Sequence, residues 1–258
     1  MRPPVFGSVA GMTHPYLRTD RPVGFAHRGG AGPYPENTEA AFRHAVDLGF
    51  EYLETDVHVT ADGVLVAFHD DRLDRVTDAR GEIAVLPWTD VAAARVGGSE
   101  PILRLEELLE RFPTERINID PKAWAAVEPL ASVITRMGVV DRVCVTAFSR
   151  RRTRAVKRLV GPGLCTGGAA AAVLAIRTGG IGAALGGVDV LQVPVRVPGI
   201  EIVTERFVAT AHRRGIHVHV WTIDDPHEMD RLLDLGVDGI MTDEPEVLRT
   251  VFGARGLW

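Results

Sequence analysis

Residues 23–57 read VGFAHRGGAGPYPENTEAAFRHAVDLGFEYLETDV and contain two short apolar runs separated by a longer amphipathic segment. The runs near 23–27 and 51–57 have the length of buried strands. The segment near 38–48 has the apolar spacing of a helix and ends at Gly49, a frequent helix stop. Strand, helix and strand in this order are typical of a βα unit in a parallel sheet.

The same alternation continues to the end of the chain. Further strands are predicted near 116–120, 142–147, 163–167, 188–192, 216–222 and 238–242. Further helices are predicted near 103–112, 123–137, 149–160, 169–178, 204–214, 226–235 and 245–253. Eight strands that are each followed by a helix predict an α/β fold of the (β/α)8 TIM-barrel type, formed as one domain by residues 23–258 after an irregular arm of residues 1–22. No Gly-x-Gly-x-x-Gly turn follows the first strand, which disfavours a dinucleotide site.

Charge and cysteine content limit the classes of function. The chain has 258 residues, of which 46% are hydrophobic, and can bury one large core. Its net charge of −5 argues against a nucleic-acid partner, because such a partner requires a clustered basic surface. The basic run at residues 150–158 is interpreted as a solvated helix face. Cys144 and Cys165 each lie in an apolar segment and are expected to be reduced core thiols.

The sequence also bears on the cellular compartment. We find no secretory signal in the first twenty residues, and Arg177 and Asp189 interrupt the apolar stretch 167–195. We therefore expect a cytoplasmic protein without stable membrane insertion, whose partner is a small-molecule substrate. The sequence does not indicate an oligomeric state.

One stretch, residues 64–102, fits neither a strand nor a helix of the alternation. It is interpreted as a small insertion after strand 2, mainly residues 70–102, with a short helix that begins at Pro87. Asp62-Gly63 just before it is a strong hairpin signal. If these two residues form the centre of the turn, position 61 pairs with 64, paired positions sum to 125, and His69 lies opposite Asp56.

Polar side chains end most of the predicted strands, at the edge where barrels of this type hold their active sites. Glu54 and Asp56 are two residues apart on one strand, so both carboxylates point to the same side. Asp120 ends the next barrel strand and could supply a third ligand. Hard oxygen ligands of this kind suit one divalent cation, Mg²⁺ or Ca²⁺, although the pair alone could equally be a solvated strand end.

Two imidazoles accompany these carboxylates. His27 ends strand 1, next to strand 2, and the predicted hairpin brings His69 towards the carboxylate pair. Two imidazoles can divide proton removal and proton donation between them near neutral pH. They are therefore candidate catalytic residues.

Cationic and aromatic side chains complete the predicted cavity. Arg28 and Lys122 lie next to His27 and Asp120, and their positive charge suits an anionic phosphoryl group. Phe148 and Trp221 follow strand ends. They either wall a small organic group or pack in the core.

At these residues the chain resembles the glycerophosphodiester phosphodiesterase family. The resemblance runs in order through about residues 23–250. It is carried by Ala26-His27-Arg28-Gly29, Pro35-Glu36-Asn37-Thr38, Leu53-Glu54-Thr55-Asp56-Val57, Thr60-Ala61-Asp62-Gly63, Phe68-His69-Asp70, Asn118-Ile119-Asp120-Pro121-Lys122, Val220-Trp221-Thr222 and Asp238-Gly239-Ile240-Met241-Thr242-Asp243. Such an ordered series is far more specific than any one motif.

The resemblance implies a barrel with a small insertion after strand 2, and hydrolysis of glycerophosphodiesters to glycerol 3-phosphate and an alcohol. In the family a neighbouring substrate hydroxyl is thought to attack first, giving a cyclic phosphate that water then opens. The third acidic position is commonly Glu in the family, and Asp120 is one methylene shorter. The resemblance implies these roles: cation ligands Glu54, Asp56 and Asp120; acid and base His27 and His69; phosphate contacts Arg28 and Lys122.

Three alternatives accompany this hypothesis. The first is lysophospholipase D-type activity on lysophospholipids, the second a barrel that stabilises an enolate at a metal, and the third an inactive relative that only binds. Histidines flanked by Arg and Lys favour phosphate chemistry, and the intact catalytic and acidic residues argue against inactivity. Because the segment 70–102 contains few apolar runs, small water-soluble diesters are expected rather than lipids. The released alcohol, the choice of Mg²⁺ or Ca²⁺, and the assignment of acid and base stay open.

Overall fold

The structure is a computed structural model and describes residues 14–179 and 185–258, so the predicted arm of residues 1–22 is described only in its last part. Eight parallel strands form the centre of the fold. In chain order they are β1 (Val23–Ala26), β2 (Tyr52–Val59), β3 (Arg116–Pro121), β4 (Val143–Val145), β5 (Cys165–Gly168), β6 (Val190–Val193), β7 (His217–Val220) and β8 (Gly239–Thr242).

The eight strands close into a barrel. Each pairs in parallel with the next, and β8 returns to pair with β1, with Val23 opposite Gly239 and Ala26 opposite Thr242. All eight strands predicted from the sequence are present, with ends that differ by a few residues. The predicted (β/α)8 fold is therefore confirmed.

A helix follows each strand and covers the outside of the barrel. The helices are α1 (Glu39–Asp47), α2 (Leu105–Arg111), α3 (Val127–Met137), α4 (Arg150–Val160), α5 (Ala170–Thr178), α6 (Glu205–His212), α7 (Pro226–Asp234) and α8 (Pro245–Ala254). The largest core cluster lies between the two layers, where strand residues such as Leu53 and Ile117 are buried with helix residues such as Phe42 and Leu108. Across the two described ranges, no helix combines the length and the apolar character that a membrane span requires.

Side-chain caps explain where several helices begin. The hydroxyl groups of Thr38 and Thr204 accept hydrogen bonds from the N–H groups of Ala41 and Phe207, and the Asp225 carboxylate caps α7 in the same way. The first N–H groups of a helix have no partner within it, so each cap contributes about 1 kcal/mol. The caps fix the point at which the chain leaves each loop above the barrel.

The barrel interior is packed at the amino ends of its strands. The short 3-10 turn Pro15–Leu17 lies there, and Tyr16 is fully buried with its ring edge-on to that of Tyr52. The Tyr52 hydroxyl donates to the Tyr16 carbonyl oxygen at 2.8 Å. Cys144 and Cys165 are buried free thiols in the same cluster, as predicted. With this end filled, a ligand can enter the barrel from the opposite end.

The hairpin after β2 differs in register from the predicted one. β2 pairs antiparallel with a strand at Leu65–Ala67, and the pair Val59 and Leu65 sums to 124 rather than 125. The predicted pairing of His69 with Asp56 is therefore wrong. The N–H of Phe68 donates to the Asp56 carbonyl oxygen instead.

The register differs because the turn is longer than predicted. Thr60 N–H donates to the Val64 carbonyl oxygen at 2.9 Å, which leaves three loop residues, 61–63, instead of two. Gly63 ends this loop with a φ of +88°, the left-handed conformation that three-residue hairpin loops place on a glycine. One extra loop residue shifts every later pair by one position.

The residues between β2 and α2 form a small layer with its own core. The helix predicted to begin at Pro87 is confirmed at Trp88–Ala93, with Pro87 as its cap residue. The core of the layer contains Phe68 and Ile83 among its buried side chains. That these residues are an insertion stays a prediction.

Candidate active site

A cavity of about 610 Å³ opens at the carboxyl ends of the barrel strands. Cavities for small molecules usually measure about 300–1,000 Å³. The structure brings together all nine residues predicted for the site, since each of them lines this cavity: His27, Arg28, Glu54, Asp56, His69, Asp120, Lys122, Phe148 and Trp221.

The three predicted acidic residues lie together on β2 and β3. Glu54 and Asp56 both face the cavity because side chains two residues apart share one face of a strand. Parallel pairing of the two strands sets Asp120 directly opposite Asp56. All three carboxylates are buried. Like charges in a desolvated place repel one another and require positive charge nearby.

Lys122 and Arg28 provide part of that positive charge. The Lys122 Nζ lies 2.6 Å from Asp56 Oδ1 and 3.0 Å from Asp120 Oδ2. The Arg28 Nε lies 3.3 Å from Asp56 Oδ2, and the Arg28 backbone N–H donates to Glu54 Oε2 at 3.0 Å. Burial acts to lower the pKa of Lys122, but the two aspartates outweigh it and the net shift is upward. Lys122 therefore remains charged at neutral pH.

The carboxylates retain capacity for a further cation. Asp120 Oδ1 is buried and has no hydrogen-bond partner, and Asp56 Oδ2 is buried and has none beyond its ion pair with Arg28. Burial, reinforced by the charge of Asp56, raises the pKa of Glu54, and burial also raises the pKa of Asp120. Over residues 14–179 and 185–258, no three His, Cys, Asp or Glu side chains already converge in a metal-binding arrangement. Buried carboxylate oxygens that accept no hydrogen bond nonetheless fit a hard divalent cation such as Mg²⁺ or Ca²⁺.

His27 directly follows β1 and is held by carboxylates on both sides. Its Nδ1 lies 2.7 Å from Asp243 Oδ1, and its Nε2 lies 3.8 Å from Glu54 Oε2. Burial acts to lower the pKa of His27, but Glu54 and Asp243 outweigh it and the net shift is upward. The next residue, Arg28, has a φ of +53°, which non-glycine residues rarely adopt. Backbone strain of this kind is concentrated at functional sites.

His69 reaches the cavity from the loop that follows the hairpin strand. Its Nδ1 lies 2.7 Å from Asp70 Oδ1, and its carbonyl oxygen accepts a hydrogen bond from His58 Nε2 at 3.0 Å. Arg75 contacts Asp70 and Glu36, with 2.5 Å from its Nε to Asp70 Oδ2 and 2.7 Å from its Nη2 to Glu36 Oε1. Hydrogen bonding from Arg75 outweighs burial and lowers the pKa of Asp70 to about 2. Asp70 is therefore a carboxylate that can orient His69 at neutral pH.

Sequence reasoning did not assign the residues that orient the histidines. Asp243 was not assigned a role, because its contact with His27 depends on closure of the barrel. Glu36 belongs to the motif Pro35-Glu36-Asn37-Thr38 and accepts hydrogen bonds from both Arg28, at 3.2 Å, and Arg75. No signal in the sequence marks Arg75. Through Glu36 and Arg75, the loop of His27 and the loop of His69 are connected.

A hydrogen-bonded polar group forms the floor of the cavity. The Asn118 amide donates to the Thr146 hydroxyl at 3.1 Å, and the Gln192 amide donates to Asn118 Oδ1 at 2.9 Å. Buried polar groups that satisfy one another in this way keep fixed positions. The floor separates the reactive groups from the apolar barrel interior.

Phe148 and Trp221 form an edge-to-face pair at the cavity mouth. Their ring centroids are 5.8 Å apart and the ring planes are inclined by 88°. Phe148 is exposed and does not pack in the core, whereas Trp221 packs partly against the barrel interior. The cavity-wall interpretation therefore applies to both, and core packing applies to Trp221 in addition.

The comparisons with known proteins agree on one family. A family model described as the Glycerophosphoryl diester phosphodiesterase family matches residues 27–165 and 175–247. The chain is 39% identical over 251 residues to the "Probable glycerophosphodiester phosphodiesterase 2" of Mycobacterium tuberculosis, across 94% of this chain and 95% of that protein.

Solved structures share the fold. A glycerophosphodiester phosphodiesterase from Agrobacterium tumefaciens superposes with a TM-score of 0.76 at 23% identity, over 88% of this chain and 99% of that one. A phosphodiesterase from Oleispira antarctica, solved with the product sn-glycerol-3-phosphate, superposes with a TM-score of 0.75 at 22% identity, over 90% of this chain and 97% of that one. Given the family match over most of its length and the relative of nearly equal length, this chain belongs to the glycerophosphoryl diester phosphodiesterase family.

Proposed function

We propose that the protein hydrolyses glycerophosphodiesters to glycerol 3-phosphate and an alcohol. The observation that carries this proposal is the pair His27 and His69, each oriented through Nδ1 by a carboxylate, beside a cavity that also contains Arg28 and Lys122. The Oleispira antarctica relative was solved with sn-glycerol-3-phosphate, which is the product expected here.

The proposed cofactor is one divalent cation, Mg²⁺ or Ca²⁺, held by Glu54, Asp56 and Asp120. The buried Asp120 Oδ1, which has no hydrogen-bond partner, and Asp56 Oδ2, which has only an ion pair with Arg28, support this assignment. When bound, the cation offsets the negative charge of the phosphoryl oxygens. Lys122 lies between Asp56 and Asp120 and holds these two carboxylates together.

The proposed proton transfers take place at Nε2 of each histidine. A carboxylate occupies Nδ1 in both rings, so Nε2 is the nitrogen left to exchange a proton. Asp243 and Asp70 fix the tautomer and stabilise the imidazolium when it forms. One histidine takes the proton of the attacking oxygen, and the other gives a proton to the leaving alcohol.

The attacking group is proposed to be the substrate hydroxyl next to the phosphate, so that a cyclic phosphate forms first and water opens it second. Within the described residues, neither Ser nor Cys lines the cavity, which supports a nucleophile that belongs to the substrate. Arg28 and Lys122 would hold the phosphate so that attacking and leaving oxygens are in line.

The test is release of glycerol 3-phosphate from glycerophosphocholine in the presence of Mg²⁺ or Ca²⁺. We expect His27→Ala and His69→Ala each to lower kcat by about 100-fold or more, the usual contribution of a general acid or base. His44→Ala is the control, because His44 lies on α1 and does not line the cavity. Full activity in both active-site variants would refute the acid–base pair. Cleavage of bis(p-nitrophenyl) phosphate at a comparable rate would refute the hydroxyl attack.

A further inference from the structure

The active-site cavity has two halves of different character. One half holds the histidines, carboxylates and cationic groups described above. The other half is mostly apolar, although Arg177 also lines the cavity. Six of its lining side chains are called here the apolar wall: Phe148, Val173, Leu174, Val197, Ile200 and Trp221. Because both halves belong to one cavity, a single ligand can contact both.

The apolar wall is exposed to solvent. Eight large hydrophobic side chains are exposed among residues 14–179 and 185–258, and half of them belong to the wall. These are Phe148 (76% exposed), Leu174 (61%), Ile200 (44%) and Val197 (39%). Contiguous exposed apolar surface is uncommon on soluble proteins and marks binding sites. Beside a polar reactive site, it indicates a ligand with an apolar part.

Helix α5 forms one side of the wall and carries apolar residues on two faces. Ala172 and Ile176 are buried on one face. Leu174 lines the cavity on another face and is exposed, and Val173 lines the cavity while it packs partly against the core. A helix that only covers a barrel needs one apolar face. The exposed Leu174 is therefore explained by a ligand rather than by the fold.

A hairpin forms the opposite side of the wall. Val197 and Ile200 are paired across its two short strands, so their side chains lie on the same face. The Arg177 guanidinium donates to the Glu201 carbonyl oxygen, which connects α5 to the hairpin. The wall is thus built from two connected elements.

From this geometry we infer that the substrates carry one long hydrocarbon chain on the glycerol, as lysophospholipids do. The inference rests on the proposed function, since the phosphodiester must bind at the polar half for its chain to reach the wall. A second acyl chain is excluded chemically, because it would occupy the hydroxyl that attacks phosphorus. This substrate class differs from the small water-soluble diesters expected from the sequence.

A charged alcohol group explains the wall less well. An aromatic pair such as Phe148 and Trp221 would also suit a quaternary ammonium group. The aliphatic members of the wall offer no such attraction to a cation, and they outnumber the aromatic ones. A hydrocarbon chain contacts all of them.

The first test varies the chain on the substrate. Glycerophosphocholine is compared with lysophosphatidylcholines of increasing chain length, each below its critical micelle concentration. We expect kcat/KM of the wild-type protein to rise by about twofold per methylene while the chain covers the wall, because each methylene is then about half removed from water. Equal kcat/KM with and without a chain would overturn the inference and leave the hydrolysis proposal standing.

The second test changes the wall. Leu174→Ser combined with Ile200→Ser removes apolar surface at two exposed positions, so the fold does not depend on it. We expect kcat/KM for a long-chain lysophosphatidylcholine to fall by about tenfold or more, and that for glycerophosphocholine to change by less than about twofold. Leu159→Ser is the matched control, because Leu159 is also exposed (55%) but lies outside the cavity. Equal losses on both substrates, or an equal loss in the control, would contradict the inference.

A binding measurement separates failure of the inference from failure of the proposed function. Dodecylphosphocholine below its critical micelle concentration and chainless phosphocholine are titrated into the protein by calorimetry. If nothing is hydrolysed, the hydrolysis proposal fails. Binding of dodecylphosphocholine that is about 100-fold tighter than binding of phosphocholine would still support a hydrocarbon chain on the apolar wall, provided that the double variant loses this difference. Equal binding of the two compounds overturns it.

Discussion

The hydrogen bond between Asp243 and His27 offers a sharp test of the catalytic arrangement. Asp243→Asn keeps the shape of the side chain and removes the charge that lies 2.7 Å from His27 Nδ1. A hydrogen bond to a charged group contributes about 1.5–3 kcal/mol and a neutral one about 0.5–1.5 kcal/mol. Because Asp243 is partly exposed, we take the lower end of the difference, about 1–1.5 kcal/mol, which corresponds to about a tenfold fall in kcat/KM. The fall is larger if the amide N–H turns towards His27 and selects the other tautomer.

The assay measures kcat/KM with glycerophosphocholine together with the melting temperature. His212→Gln is the matched control, because His212 Nε2 lies 2.7 Å from Asp238 Oδ2 in a similar pair outside the cavity. We expect the control to lose stability and to keep wild-type kcat/KM. Wild-type activity in Asp243→Asn, or the same loss of activity in both variants, would refute the reasoning.

Three further predictions concern stability, positioning and the cation. The hydrogen bond to Asp238 outweighs burial and raises the pKa of His212, so its contribution is fully present below the unfolded pKa and is lost as the pH rises through the folded pKa. His212→Gln should therefore lower the free energy of unfolding by up to about 1 kcal/mol near pH 5.5 and by less near pH 8.5 in urea titrations, and a larger loss at the higher pH would contradict this. Arg75→Met should lower kcat by about tenfold with little change in KM or melting temperature, because Asp70 and Glu36 lose their shared partner. Arg75→Lys should restore part of kcat. A change in KM alone would count against a positioning role for Arg75. In chelator, Glu54→Gln should raise the melting temperature, since it removes one of several adjacent buried negative charges. Added Mg²⁺ or Ca²⁺ at 100 times its Kd should stabilise the wild type by about 2.7 kcal/mol and should not stabilise the variant. The same stabilisation in both proteins would place the cation elsewhere.

The fold was predictable because its signals are local. Strands buried on both faces appear as short apolar runs, and several helices begin at a capping side chain such as Thr38 or Thr204. The barrel count then follows from eight repeats of one pattern. The positions of the acidic residues and His27 were predictable for the same reason, since they lie on or directly after strands whose order is known.

The contacts that orient the histidines were not predictable, because they join distant parts of the chain. Asp243 and His27 are 216 positions apart, and Arg75 and Glu36 are 39 apart. His69 lines the cavity, but the predicted register was wrong, since a two-residue turn was assumed where Gly63 ends a three-residue loop. It lies in the cavity because the chain leaves the strand after Ala67 and bends at His69.

The apolar wall was not predictable from the sequence for a related reason. Leu174 and Ile200 belong to separate βα units, and neither stretch is unusual by itself. Only when α5 and the hairpin lie on opposite sides of one cavity does an apolar surface form. The composition of the segment 70–102, on which the substrate expectation was based, contains no information about this apolar surface.

We expect this cavity, with a cation at Glu54, Asp56 and Asp120, to break the bond between phosphorus and the alcohol of a glycerophosphodiester. Phosphorus-31 NMR of glycerophosphocholine incubated with the protein measures this reaction, because it distinguishes the phosphorus products and any cyclic intermediate in one spectrum. We predict glycerol 3-phosphate as the final product, a transient cyclic phosphate, and no reaction in the presence of chelator. Phosphocholine as the product, an unchanged substrate signal with Mg²⁺ and with Ca²⁺, or undiminished turnover in chelator would contradict the account.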